Sequence, residues 1–223
     1  MAKKAKGKDI FLPQAISNRN VATARFRTVP FEGSWKACIG CPELHGSWII
    51  WGGSASGKTT FALMLAKYLS QWTKVAYDSL EQGLSLSLQK AWLRVGMAEA
   101  GNRVMLLDKE PIDKLRYRLD RRKSPGVVII DSLTAMPGFK KKDYVELMRF
   151  YPGKLFIFLA HEKRGLADPA IAETVRRLSD VKLHVDTYKA FPASRFEDRD
   201  AGEGGEPFVI WEEGANRRFC DEM

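Results

Sequence analysis

The run Gly52-Gly53-Ser54-Ala55-Ser56-Gly57-Lys58-Thr59 has the spacing G-x-x-x-x-G-K-T. Glycines at both ends let the backbone curl so that successive N–H groups converge on phosphate oxygens, and a helix starting there adds its positive N-terminal pole. In such a phosphate-binding loop (P-loop) Lys58 meets the β- and γ-phosphates, the Thr59 hydroxyl ligates magnesium, and Thr60 follows in the same turn. The pattern therefore predicts a nucleoside triphosphate as ligand and Mg2+ as its ion.

Hydrolysis of a bound triphosphate asks for two more groups. A carboxylate at the end of another buried strand holds the metal's water shell, and Asp131 fits in Val127-Val128-Ile129-Ile130-Asp131-Ser132; its bland alternative is a helix N-cap, for which Asp-Ser after a strand is a common choice. A second acid orients and polarises the attacking water. Glu81 is placed for this in Val75-Ala76-Tyr77-Asp78-Ser79-Leu80-Glu81-Gln82, with Asp78 as competitor and a solvated loop acid as the alternative for both.

The motif needs a strand before it and a helix after it. Trp48-Ile49-Ile50-Trp51 supplies the strand, and Phe61, Met64, Leu65, Tyr68 and Leu69 recur at helical spacing over residues 57–71. Further apolar runs at 75–77, 104–107, 127–130 and 155–160 alternate with helical patterns at 84–98, 111–122 and 142–150. Continuous apolar strands joined by helical crossovers predict an α/β fold with a mostly parallel central sheet flanked by helices. Residues 181–185 and 208–211, on either side of 188–196 and the turn Ala201-Gly202-Glu203-Gly204-Gly205, predict a small antiparallel C-terminal extension.

At 223 residues the chain suits one α/β domain, and 45% hydrophobic with 28% charged residues matches ordinary soluble proteins. We expect a basic N-terminal arm over residues 1–30 and a single ATPase domain over 31–223. The longest apolar runs are too short to span a bilayer and the N-terminus has no apolar signal core, so no membrane association and a cytoplasmic location are expected. Cys38 and Cys41 form a CxxC pair, but no second pair completes a zinc set and Cys220 is distant; the pair reads as two small residues in a turn. The net charge of +9 favours anionic partners, although part of it sits in the lysine-rich first eight residues, which serve equally well as a solvated end.

Several segments resemble the RecA/RadA-like P-loop ATPases. Tyr77-Asp78-Ser79-Leu80-Glu81-Gln82-Gly83 is similar to the tyrosine-valine-serine-glycine-glutamate-glutamate-serine segment of bacterial RadA, and Val127 through Ser132 to the metal-binding strand of RecA and RadA. Ala160-His161-Glu162-Lys163-Arg164-Gly165 resembles the RadA segment glycine-histidine-valine-threonine-lysine-glutamate-glycine, a strand end that senses the γ-phosphate, which implies a sensor role for His161. Residues 179–185 and 188–196 look like the strand pair closing RadA-type cores. Ala193-Ser194-Arg195-Phe196-Glu197 is similar to the lysine-asparagine-arginine-phenylalanine-glycine signature, with its lysine replaced by Ala193 and its glycine by Glu197. That implies a nucleotide contact for Arg195, reaching across a subunit interface, and puts the lysine's role in doubt. The resemblance covers residues 45–212, is greatest to compact core-only phage and prophage proteins, and implies a RecA-like P-loop NTPase architecture in a ring or filament homo-oligomer.

In RecA-like assemblies the loops after the metal and sensor strands face nucleic acid. Here they carry Gly138-Phe139-Lys140-Lys141-Lys142 and Lys163-Arg164, so the resemblance implies single-stranded DNA binding, with Phe139 stacking on a base and the cations following phosphates. A solvated face is the alternative for each basic run, and the preferred reading for Arg116, Arg118, Arg121, Arg122 and Lys123. The leading functional reading is an ATPase acting on single-stranded DNA in recombination or strand annealing. Its rivals are a replicative helicase core or helicase loader, and a nucleotide-gated scaffold with negligible hydrolysis.

Overall fold

The structure is a computed structural model that describes residues 15–136, 138–198 and 200–221, with residues 217–221 described by backbone alone. The lysine-rich start of the arm and the side chain of Cys220 lie outside the described residues.

Residues 15–28 are exposed and contain the short α1 (Asn18–Ala22), which buries nothing. The chain joins the core at Val29 and Phe31, where Val29 N–H donates to Pro42 O. Next comes α2 (Gly33–Ile39), which carries Cys38. The expected turn therefore holds only at Cys41, in the bend after α2, while Cys38 is helical: Trp35 stacks on Tyr68 at 5.1 Å and packs on Phe208 at 4.3 Å, contacts from distant residues that local sequence does not announce. Burial pushes the Cys38 thiol up to about 12. Native-state alkylation at mildly alkaline pH, read by site-resolved mass spectrometry, should therefore label Cys41 well before Cys38; equal rates at the two would contradict this packing.

The sheet's centre is β1 (Gly46–Gly52), followed by the P-loop and α3 (Lys58–Leu69). β2 (Val75–Ser79), α4 (Leu86–Arg94), β3 (Val104–Asp108), α5 (Ile112–Leu119) and β4 (Val127–Asp131) follow. α4 is shorter than the helix expected at 84–98, because Gly96, in the left-handed region at φ 66°, turns the chain into a 3-10 run over Met97–Arg103. Then come α6 (Lys141–Phe150), β5 (Leu155–Lys163), β6 (Leu166–Asp168), α7 (Ala170–Leu178), β7 (Val181–Asp186), β8 (Lys189–Ser194), β9 (Phe208–Val209) and α8 (Glu212–Asp221).

Strand order is β3-β2-β4-β5-β1-β7-β8-β9, with β6 paired to the end of β5. The six strands from β3 to β7 run parallel, while β6, β8 and β9 are antiparallel additions. All of β4 and nearly all of β1 are buried, as parallel strands covered on both faces must be. Alternate residues feed two cores. Trp48, Ile50, Tyr77 and Ile129 pack with Phe61 and Leu65 of α3, whereas Ile49, Trp51, Val128 and Ile130 pack with Leu115, Leu147 and Val175 from α5, α6 and α7. Because all six parallel strands point the same way, the loops leaving β1, β2, β4 and β5 meet at one pole, where open α/β sheets hold ligands. Among the described residues no helix is long and apolar enough to cross a membrane.

Candidate functional site

The P-loop leaves β1 under tight packing. A Cβ on Gly52 would stand 2.0 Å from Val185 O, and one on Gly57, whose φ is 106°, would stand 3.1 Å from the Tyr188 ring. Ala55 takes the left-handed conformation at φ 58°, and Tyr188 N–H donates to Ser56 O at 3.2 Å, so β7 and β8 brace the loop from outside. Lys58 is buried, and its Nζ donates to Gly52 O at 2.9 Å and Gly53 O at 2.6 Å. Burial lowers its pKa, against the opposing charges of Asp131, Glu81 and Glu162. The first-turn N–H groups of α3 have no intrahelical partner and point into the same space.

Thr59 Oγ1 donates to Asp131 Oδ2 at 3.4 Å, so these two candidates meet across 72 residues of chain. The buried Tyr77 hydroxyl donates to the same Oδ2. Burial raises the Asp131 pKa and the nearby Glu81 charge raises it further, while the bonds from Tyr77 and Thr59 work the other way. Leu80 and Glu81 N–H both donate to Asp131 O, at 2.7 and 3.0 Å, locking the loop after β2 onto the end of β4. The Glu81 carboxylate then lies between Ser132, whose hydroxyl donates to Oε2 at 3.0 Å, and His161, whose Nε2 is 3.0 Å from the same oxygen. Lys58, Thr59, Glu81, Asp131 and His161 line one cavity of about 370 Å³ together with Ser54, Ala55, Ser56, Gly57 and Thr60.

Asp78 is elsewhere. Alternation along β2 turns it to the α5 face, where its Oδ1 accepts from Glu110 N–H at 3.0 Å and its Oδ2 is buried without a partner. Burial pushes its pKa up to about 7. The folded state therefore holds a proton there between about pH 4 and pH 7 that the unfolded chain has lost, and stability falls as pH rises through that window. Asp78→Asn should raise the melting temperature more at pH 8 than at pH 4, both values flanking the window about as widely as practical; an equal shift at the two would contradict the assignment.

No family model and no curated protein matches the sequence. Solved structures do share its arrangement of strands and helices. The flagellar accessory protein FlaH from Methanocaldococcus jannaschii superimposes with a TM-score of 0.57 at 16% identity, over 81% of this chain and 92% of that one. The ATPase domain of G40P gives 0.54 at 17% identity, over 78% and 84%, and the RadB recombinase gives 0.50 at 21%, over 78% and 92%. The fold is RecA-like. At such identities the likeness concerns architecture, and activity has to be argued from the site.

Within the RecA-like core, Phe139 is not where its expected role needs it, and Arg195 lies far from the P-loop of its own chain. Phe139 is only 8% exposed and packs on Phe158 with ring centroids 6.2 Å apart, so it cannot stack on a base. The cause is Gly138, whose left-handed φ of 77° turns the chain and drops Phe139 beside Leu133 and Met136, leaving Lys140, Lys141 and Lys142 outside. Arg195 pairs with Asp180 at 2.8 Å. Since Ser194 is level with Val181 and Val181 with Trp48, Arg195 sits near the start of β1, roughly the strand's length of about 20 Å from the P-loop of its own chain. Lys163 and Arg164 lie on a hairpin whose two-residue turn, Arg164 at φ 54° and Gly165 at φ 77°, has the left-handed pair that tight hairpins use. That hairpin touches the loop after β4 through Thr134 Oγ1, which donates to Asp168 O at 3.3 Å.

Three contributors escaped the sequence reading: Tyr77, Ser132 and Tyr188. Tyr77 lies in an apolar strand run, yet a phenol buried near a polar strand end needs a partner for its hydroxyl, a signal that points to Asp131.

Proposed function

We propose that this protein binds ATP with Mg2+ at the P-loop pole, hydrolyses it, and couples that cycle to single-stranded DNA held by the two basic loops. The observation that carries the reading is the Glu81 carboxylate fixed at 3.0 Å by both Ser132 Oγ and His161 Nε2, in the same cavity as Lys58, Thr59 and Asp131.

The residues fit a triphosphate and its metal. Ser56 Oγ is buried without a partner beside loop backbone that admits no side chain at Gly52, and the Thr59–Asp131 pair presents oxygen donors suited to Mg2+. When bound, magnesium neutralises phosphate charge and polarises the bond to be broken. Lys58 supplies the cation against the phosphates, and Thr59 with Asp131 holds the metal side. Glu81 accepts a hydrogen bond from the attacking water, and His161 joins that acid to the strand end that leads into the basic hairpin. A neighbouring apolar cavity of about 700 Å³, lined by Thr60, Met64, Arg94, Tyr188, Ile210 and Trp211, suits the adenosine moiety in size and character. Arg195, remote from its own P-loop, serves the nucleotide of a second copy in an oligomer.

Support for the DNA role comes from position and charge. After β4, Lys140 leads into α6, whose first turn holds Lys141 and Lys142; Lys163 ends the adjacent β5 and Arg164 turns its hairpin; and the hairpin meets the loop after β4 at Thr134. With a non-hydrolysable ATP analogue the protein should bind oligothymidylate in a salt-sensitive manner, and the oligonucleotide should stimulate phosphate release from ATP. ATP hydrolysis without any salt-sensitive DNA binding would remove the DNA half of the proposal and keep the ATPase half.

A further inference from the structure

At the pole opposite the P-loop, where the parallel strands begin, a groove of about 530 Å³ runs between the arm and the sheet. Thr73, Gly126 and Gly153, from the loops entering β2, β4 and β5, line it together with Arg27, His45 and Trp72. The three loops are stitched by backbone: Gly126 and Val127 N–H donate to Lys74 O, and Leu155 N–H donates to Gly126 O. A Cβ on Gly126 would stand 2.3 Å from Thr73 Oγ1, whereas Gly153 has open space above it, so part of this surface is bare backbone.

The lining segments are flanked in sequence by exposed cations. Exposed Lys74 adjoins Thr73, and exposed Arg122 and Lys123 lead into Gly126. Arg27, Lys74, Arg122 and Lys123 make no ion pair among the described residues, unlike Arg116 and Arg118, which are engaged by Glu146 and Glu110. Lys154 is also engaged, donating to Ser124 Oγ and Pro125 O at 2.8 Å. The acid in the lining, Glu43, faces His45 at 3.2 Å. Half-buried Trp72 stacks on Phe31 at 5.4 Å and meets Tyr68 edge-on at 5.1 Å, which fixes its indole in the wall with part of the ring left to the groove. On α5, which precedes Arg122 and Lys123, Tyr117 is 70% exposed, with the Arg121 guanidinium 5.9 Å from its ring centre.

We propose that this groove binds a single-stranded nucleic acid, with Arg27, Lys74, Arg122 and Lys123 meeting phosphates and Trp72 offering a stacking face. Unpaired cations with a fixed aromatic beside bare backbone are what a sequence-tolerant strand site requires. An acidic peptide would satisfy the cations but would leave the Trp72 ring unused. The groove is separate from the ATP site and from the loops at the other pole, so it stands or falls independently of them.

The test measures anisotropy of a labelled oligothymidylate over a salt series with three full-length proteins. These are the wild type, Lys74→Gln/Arg122→Gln/Lys123→Gln, and the loop variant Lys140→Gln/Lys141→Gln/Lys142→Gln. Melting temperature and binding of a fluorescent ATP analogue, followed in parallel, confirm that the variants fold and keep the nucleotide site. Losing three phosphate contacts should lower the steepness of log K against log salt by about 2 and weaken binding at least about tenfold. The loop variant should retain the groove's contribution, and hydrogen exchange over residues 72–74 and 122–126 should slow when the oligonucleotide is added. Unchanged affinity and salt slope in the groove variant would overturn the proposal. So would polyglutamate displacing the oligonucleotide from the loop variant as effectively as unlabelled oligothymidylate does.

Discussion

Glu81→Gln is expected to lower the rate of phosphate release from ATP by about 10²–10⁴-fold, the range for loss of a general base, while ATP affinity stays close to that of the wild type. The amide keeps the size of the side chain and an oxygen that can accept from Ser132 Oγ, so the loop after β2 stays in place through Leu80 and Glu81 N–H on Asp131 O. What disappears is the negative charge that polarises water. Because Lys58, Thr59 and Asp131 are untouched, binding and hydrolysis should separate in this variant. Equal phosphate release by variant and wild type would show that Glu81 is not the water-orienting group, and would leave a binding protein without this route to hydrolysis.

Lys58→Ala should act on the other half of the cycle. Its Nζ already sits on the carbonyls of Gly52 and Gly53, inside the loop that receives the phosphates. Hydrogen bonds to charged groups contribute about 1.5–3 kcal/mol each, so losing one such bond should weaken ATP binding by about 10- to 150-fold, and losing two by more. The nucleotide-free protein should not suffer in the same way. Burial lowers the Lys58 pKa, so the cation opposes folding at neutral pH, and that opposition fades as pH rises through the depressed folded value. In the variant relief of that penalty is offset by loss of the bonds to Gly52 O and Gly53 O, so its melting temperature without nucleotide should change little. A large fall would mean that the lysine holds the loop together rather than waiting for a ligand.

Much of this arrangement was legible because buried parallel strands write themselves as unbroken apolar runs. Val127 through Ile130 could be placed as a central strand from composition alone, and the G-x-x-x-x-G-K-T loop locates itself between a strand and a helix. The antiparallel end of the sheet was readable from its Gly-rich turn. Elsewhere long-range contacts decide the outcome. α2 is helical because Trp35 finds Tyr68 and Phe208, and α7 has a weak signal in sequence because it fully buries only Ala172 and Val175, with Ile171 half-buried beside them, on a short, charged helix. Phe139 beside three lysines looked like a recognition loop, yet one left-handed glycine sends it into the core. Partners that depend on the meeting of strand ends, such as Tyr77 with Asp131 and Ser132 with Glu81, leave little trace in local sequence.

The central claim is that the P-loop pole hydrolyses ATP with magnesium, and it is tested most directly by following phosphate release from ATP with purified wild-type protein, first with magnesium and then after chelation. The account predicts sustained release with the metal and arrest once it is removed. No release under either condition, or the same rate under both, would contradict it.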